Sequence, residues 1–259
     1  MIHTLGLAKS FGSRRVLRGL DFVAEPGAIT LLIGANGAGK TTALRLLAGL
    51  SAPDAGSIRI AGHDLQHSRR CALASLSWLP QAPRFHPRLT VAQVAAFHAR
   101  LRGRPLRAVP DALDAWGLAD FSDMPTGKLS GGLRQRLALA VLALADAPVL
   151  LLDEPGLSLD PEWREVLQDF LTGEARRGRT ILMATHLLGE WENRIDRCVL
   201  LADGRSGGEI PPGELRRHYH AFLRHTLPES DMRHTPAMTT CPPPHSPSPL
   251  SPSAAAPRL

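Results

Sequence analysis

Residues 34–41 read Gly34-Ala35-Asn36-Gly37-Ala38-Gly39-Lys40-Thr41 and follow at once on the apolar run Ile29-Thr30-Leu31-Leu32-Ile33. That run has the length of a buried strand, and after the loop leucines at 44, 46, 47 and 50 set a helical spacing closed by the Pro53-Asp54-Ala55-Gly56 turn. Strand, glycine-rich loop and helix in this order give the pattern G-x-x-x-x-G-K-[ST] the context that it requires. Glycines let backbone N–H groups wrap phosphate oxygens, and the helix start adds its positive dipole end. Lys40 would reach the outer phosphates and the Thr41 hydroxyl would serve Mg²⁺. The candidate nucleotide-binding residues here are Gly34, Asn36, Gly37, Gly39, Lys40, Thr41 and Thr42.

Working outward, three more apolar runs have the length of buried strands: Val149 to Leu152, Ile181 to Ala184 and Cys198 to Leu201, each preceded by helix-like sequence. Such alternation predicts an α/β fold with a mostly parallel sheet covered by helices. Before the loop, Ile2 to Leu7 and Val16 to Ala24 read as short strands. Between about 83 and 135 the pattern turns to helically spaced Ala, Leu and Arg, which predicts a small helical subdomain. From Pro236 onward prolines and serines alternate without apolar periodicity, so residues 226–259 are expected to form a disordered tail after a domain at 1–225.

Asp153 and Glu154 stand at the end of the run 149–152, at the edge where parallel sheets bind ligands. Asp153 would hold Mg²⁺, in part through water, and Glu154 would polarise a water for in-line attack on a γ-phosphate. Acidic residues also end strands before prolines such as Pro155 for no catalytic reason; the phosphate loop is what tips the reading toward nucleotide hydrolysis.

The segment Leu129-Ser130-Gly131-Gly132-Leu133-Arg134-Gln135-Arg136 resembles the signature of ABC ATPases, and it precedes Asp153-Glu154-Pro155 as it does in that family. The resemblance spans nearly all of residues 1–205. It implies an N-terminal antiparallel β-subdomain beside the P-loop core and assigns several roles. Phe11 would stack on adenine. Gln81 would join the nucleotide and its Mg²⁺ to the helical subdomain and count among the catalytic groups with Glu154 and His186, the last sensing the γ-phosphate. Ser158-Leu159-Asp160 would cross to a partner subunit. Ser130, Gly131 and Gly132 would open a helix whose N-terminus faces the ATP of the partner. ATP and Mg²⁺ are the cofactors implied. The partners implied are a second ATPase subunit, identical or not, and an integral membrane permease on a separate chain at the cytoplasmic face of the inner membrane. The chain departs from the common pattern at Phe11, Ala35, Leu133 and Ser158, none of which removes a catalytic group. The short separation of Gln81 from Ser130 is similar to that of exporter ATPases of the ABC-2 class.

Length and composition agree with one such unit. The chain has 259 residues, 44% hydrophobic and 21% charged, which suits one globular domain. Three scattered cysteines support no disulfide scaffold or zinc knuckle and fit a reducing cytosol. No run reaches the roughly 20 apolar residues of a membrane span, and no signal peptide is read at the N-terminus. Lys and Arg exceed Asp and Glu by 30 to 24, for a net charge of +6. That excess would suit a soluble ATPase acting on nucleic acid or ribosomes, the alternative in the same family. Those proteins usually carry two ATPase units or long inserts, so no nucleic-acid partner is expected. A P-loop kinase would leave the 129–136 segment and His186 unexplained. Arg100, Arg102, Arg104 and Arg107 read as a solvated basic loop, and histidines 218, 220, 225, 234 and 245 as no metal site.

Overall fold

The computed structural model describes residues 1–210 apart from 187 and 192. The expected tail and the histidines from 218 onward lie outside them.

The chain opens with strands β1 (Ile2–Phe11) and β2 (Arg14–Ala24), joined by Gly12 and Ser13, where Gly12 takes a left-handed φ of 59°. Both strands run further toward this turn than their apolar residues suggest. Ile2, Thr4 and Leu7 of β1 and Leu17, Leu20 and Phe22 of β2 point inward, while the last rungs, Ser10 with Arg15 and Phe11 with Arg14, pair through the backbone and carry no burial signal. Strand β3 (Ile29–Ile33) is buried along its whole length and leads through the loop into helix α1 (Lys40–Leu47). Strands β4 (Ala55–Ile60) and β5 (His63–Asp64) complete a four-stranded antiparallel sheet in the order β2-β1-β4-β5, the β-subdomain expected.

Helix α2 (Arg69–Ala74) and strand β6 (Leu76–Leu79) lead to the helical segment. There α3 (Val91–Leu101) starts at a capping box, with the Thr90 hydroxyl accepting from Gln93 N–H and the Gln93 side chain accepting from Thr90 N–H. Helix α4 (Ala108–Ala115) packs with α3 on α5 (Gly131–Leu144). Strand β7 (Val149–Asp153), helix α6 (Pro161–Arg176), strand β8 (Thr180–Ala184), the short α7 (Leu188–Trp191) and strands β9 (Arg197–Ala202) and β10 (Arg205–Ile210) follow. The second sheet runs β10-β9-β3-β8-β7-β6 and is parallel except for β10 against β9.

Its central strands β3, β7 and β8 are apolar on both faces, apart from Thr30, Thr180 and the terminal Asp153, because both faces are covered. Ile29, Leu31, Ile33, Leu150, Leu152, Ile181 and Met183 face the core shared with α5, α6 and the helical segment. Leu32, Val149, Leu151, Leu182 and Ala184 face α1 and the antiparallel sheet. The sheet edge that carries residues 34–41, Asp153 and His186 is therefore fixed from two sides.

Two of the four clustered arginines, both exposed, also tie the helical segment to this core. Arg102 donates to the carbonyls of Ala74 (3.2 Å) and Leu76 (2.7 Å), and Arg104 pairs with Asp146 at 2.7 Å. The loop is solvated as expected, and at these two positions the Arg fork in addition finds carbonyl and carboxylate acceptors at the base of the segment.

Candidate functional site

The loop between β3 and α1 is shaped by contacts that exclude side chains. A Cβ on Gly39, at φ 107°, would lie 2.9 Å from Leu17 Cδ2 and 3.3 Å from the Val16 carbonyl oxygen. One on Gly34 would lie 2.5 Å from the Leu201 carbonyl oxygen on β9. Gly34 thus sits beneath the loop against the sheet and does not line the cavity above it. No side chain caps α1, and its first turn holds no acidic residue, so its free N–H groups face the cavity mouth. Lys40 arches back over the loop, donating from Nζ to the carbonyls of Gly34 (2.7 Å) and Ala35 (3.2 Å). Burial lowers the Lys40 pKa, with Glu154 and Asp153 pulling it back up.

A cavity of about 480 Å³ opens over this loop. Asn36, Gly37, Gly39, Lys40, Thr41 and Thr42 form its floor, Phe11 and Arg14 one wall, and Gln81, Asp153 and Glu154 the other. Phe11 is half exposed and available for stacking. Asp153, at the end of β7, is 2% exposed, and burial raises its pKa while a side-chain hydrogen bond with Thr41 lowers it. Its Oδ2 is buried and has no hydrogen-bond partner among the described residues. A buried carboxylate oxygen with nothing to accept from, joined to a threonine hydroxyl and sharing a cavity with an amide, is a donor set that suits a hard cation such as Mg²⁺.

Glu154 follows with a left-handed φ of 50°, and its N–H donates to the Ala184 carbonyl at 2.8 Å. With this kink the strand ends and the Glu154 side chain lines the cavity. Glu154 Oε2 lies 2.9 Å from His186 Nδ1 and accepts from the His186 N–H at 3.3 Å. His186 thus reaches the cavity through Glu154, just beyond the end of β8.

Ser130, Gly131, Gly132 and Asp160 do not line this cavity. They form a second cluster at the start of α5. The Ser130 hydroxyl accepts from Leu133 N–H at 3.2 Å as the helix cap, and the helix begins at Gly131. A Cβ on Gly132 would meet the Ser158 carbonyl oxygen at 3.1 Å, and the Asp160 carboxylate caps α6 by accepting from Trp163 N–H at 3.0 Å. Reasoning from the sequence missed Arg14. It pairs with Phe11 across the hairpin, and its guanidinium lies 3.5 Å from where a Gly37 Cβ would stand. No described carboxylate forms an ion pair with it.

Comparison with known proteins agrees with this geometry. The family model described as ABC transporter matches residues 17–156. The chain is 38% identical over 211 residues to the Nod factor export ATP-binding protein I of Paraburkholderia xenovorans (strain LB400), covering 80% of this chain and 69% of that one. A solved structure titled as the ATP binding subunit of an ABC transporter superposes with a TM-score of 0.79 at 27% identity, over 85% of this chain and 93% of the other. A bacterial Atm1-family ABC exporter with ATP bound superposes with a TM-score of 0.77 at 26% identity, over 88% of this chain and 42% of the exporter.

Proposed function

The chain belongs to the ABC transporter family of ATPases, and from that premise we propose that it is the subunit that drives a separate membrane permease, working as an exporter. Among the described residues no helix is long and apolar enough to cross a membrane. In this reading the permease supplies the path, and the chain attaches peripherally to its cytoplasmic side. The export direction rests on the name of the relative from Paraburkholderia.

ATP would lie in the 480 Å³ cavity with its base on Phe11 and its phosphates on the N–H groups of 36–42, beside Lys40 and Arg14. Asp153, the Thr41 hydroxyl and Gln81 would hold Mg²⁺, which supplies neutralisation of phosphate charge when bound. Glu154 would take the proton of the attacking water on its carboxylate. His186 would fix the Glu154 rotamer through Nδ1 and meet the γ-phosphate with the rest of its ring.

One observation carries the dimeric part of the reading. The helix start at Ser130 to Gly132, an end of the kind that suits an anion, does not line the cavity over the same chain's phosphate loop, so its ligand would come from another subunit. Two subunits would close head to tail around two ATP molecules. The test is co-purification in detergent: a multi-spanning membrane protein should travel with the chain, and ATP with Glu154→Gln should trap a dimer. A soluble, DNA-stimulated ATPase without such a partner would point to the nucleic-acid branch instead.

A further inference from the structure

We infer that Gln135 is a positioning residue that ties the helix start at Ser130 to the backbone carrying Glu154, so that each ATP-binding face of the chain reports to the other. The inference rests on the dimeric reading above. Gln135 lies one helical turn into α5 and is 2% exposed. A buried amide needs a specific partner, and here Nε2 donates to the Pro155 carbonyl at 2.9 Å.

The place of that carbonyl gives the bond its meaning. Pro155 has no N–H and a φ held by its ring, so anchoring its carbonyl leaves only ψ of Pro155 between that anchor and the peptide that leaves Glu154. Glu154 itself is in the left-handed region and is held on its other side by the Ala184 carbonyl. Movement of Pro155 would therefore swing the Glu154 carboxylate against His186. The loop that follows is braced independently, by Arg164 Nε donating to the carbonyls of Gly156 (3.2 Å) and Leu159 (2.9 Å). Gln135 is the side chain that joins α5 to the residue next to Glu154. When the partner's ATP engages Ser130, the shift of α5 passes through this amide to the carboxylate that serves the chain's own ATP. The two sites of the sandwich are then coupled through one hydrogen bond in each subunit.

The test uses the full-length chain. Gln135→Met keeps length and burial but removes the donor. It should lower kcat about tenfold at unchanged KM for ATP, bring the Hill coefficient for ATP toward one, and still allow the ATP-trapped dimer when combined with Glu154→Gln. Gln135→Glu gives a second readout: ionised, it repels the Pro155 carbonyl, and protonated, it donates to it. Its activity relative to the parent chain should recover as pH falls. Normal kcat in Gln135→Met, joint loss of ATP binding and dimerisation, or a flat activity ratio across pH in Gln135→Glu would each overturn the link. If Glu154→Gln alone never dimerises with ATP, the dimeric reading fails and takes the link with it. A trapped dimer with normal Gln135→Met turnover removes only the link.

Discussion

Glu154 and His186 are joined twice through one oxygen: Oε2 accepts from the His186 main-chain N–H and meets the imidazole at Nδ1. A base held by both the backbone and the ring of its neighbour is oriented before substrate arrives. Glu154→Gln is expected to keep ATP binding while lowering hydrolysis about 10²- to 10³-fold, measured as phosphate release under saturating ATP. His186→Ala, which leaves the base but frees its rotamer, should cost about 10- to 100-fold.

Arg14 faces the cavity beside Gly37 and forms no ion pair with any described carboxylate. Arg14→Ala should raise KM for ATP about fivefold, the scale of one partly exposed charge contact, with kcat nearly unchanged. The rise should shrink in high salt, because an exposed guanidinium acts over a screened distance. Steady-state kinetics at two ionic strengths checks this.

Asp153 has its carboxyl pKa raised chiefly by burial. A carboxyl raised in the folded state binds protons more tightly there than in the unfolded chain, so stability falls as pH rises past the unfolded value, about 3.9, and through the folded one. At neutral pH the ionised group is therefore a burden on the empty protein. Asp153→Asn should raise Tm at pH 7, the gain shrinking as pH drops toward the unfolded value, while hydrolysis is lost. Thermal melts of the ATP-free chain across pH give the answer.

Gly34→Ala puts a methyl 2.5 Å from the Leu201 carbonyl oxygen, a backbone atom with little freedom to withdraw. The loop must lift off β9. Denaturant unfolding should show a loss of about 1–3 kcal/mol, and ATP affinity should fall with it although Gly34 does not line the cavity. Unchanged stability would mean that the loop is not seated on β9 as described.

The large sheet was legible because burial on both faces writes itself as largely apolar runs: Ile29–Ile33, interrupted by Thr30 alone, Val149 to Leu152, and Ile181 to Ala184. The phosphate loop was legible because only glycine satisfies its close approaches to Leu201 and Leu17 at once. The ends of β1 and β2 were not, since Ser10, Phe11, Arg14 and Arg15 join the sheet by backbone pairing alone, which leaves no mark on residue type. Arg14 was missed for the same reason: an arginine in a basic sequence stands out only when its cross-strand neighbour is known. Arg102 and Arg104 read correctly as surface charge, but their acceptors, two carbonyls and Asp146, were not legible because they are distant in sequence. Gln135 gave no signal of its own, since a glutamine on an Ala/Leu helix looks like an ordinary polar face until its burial is seen.

The hairpin that brings Phe11 and Arg14 onto one rung also sets a length. In the proposed binding mode the Gly12-Ser13 turn fixes how far the Phe11 ring and the Arg14 guanidinium stand apart on their shared rung. One residue added to that turn on the Arg14 side would rotate the guanidinium to the opposite face of the sheet and leave the ring where it is. If Phe11 and Arg14 serve the nucleotide as proposed, the fit depends on loop length as much as on side-chain identity.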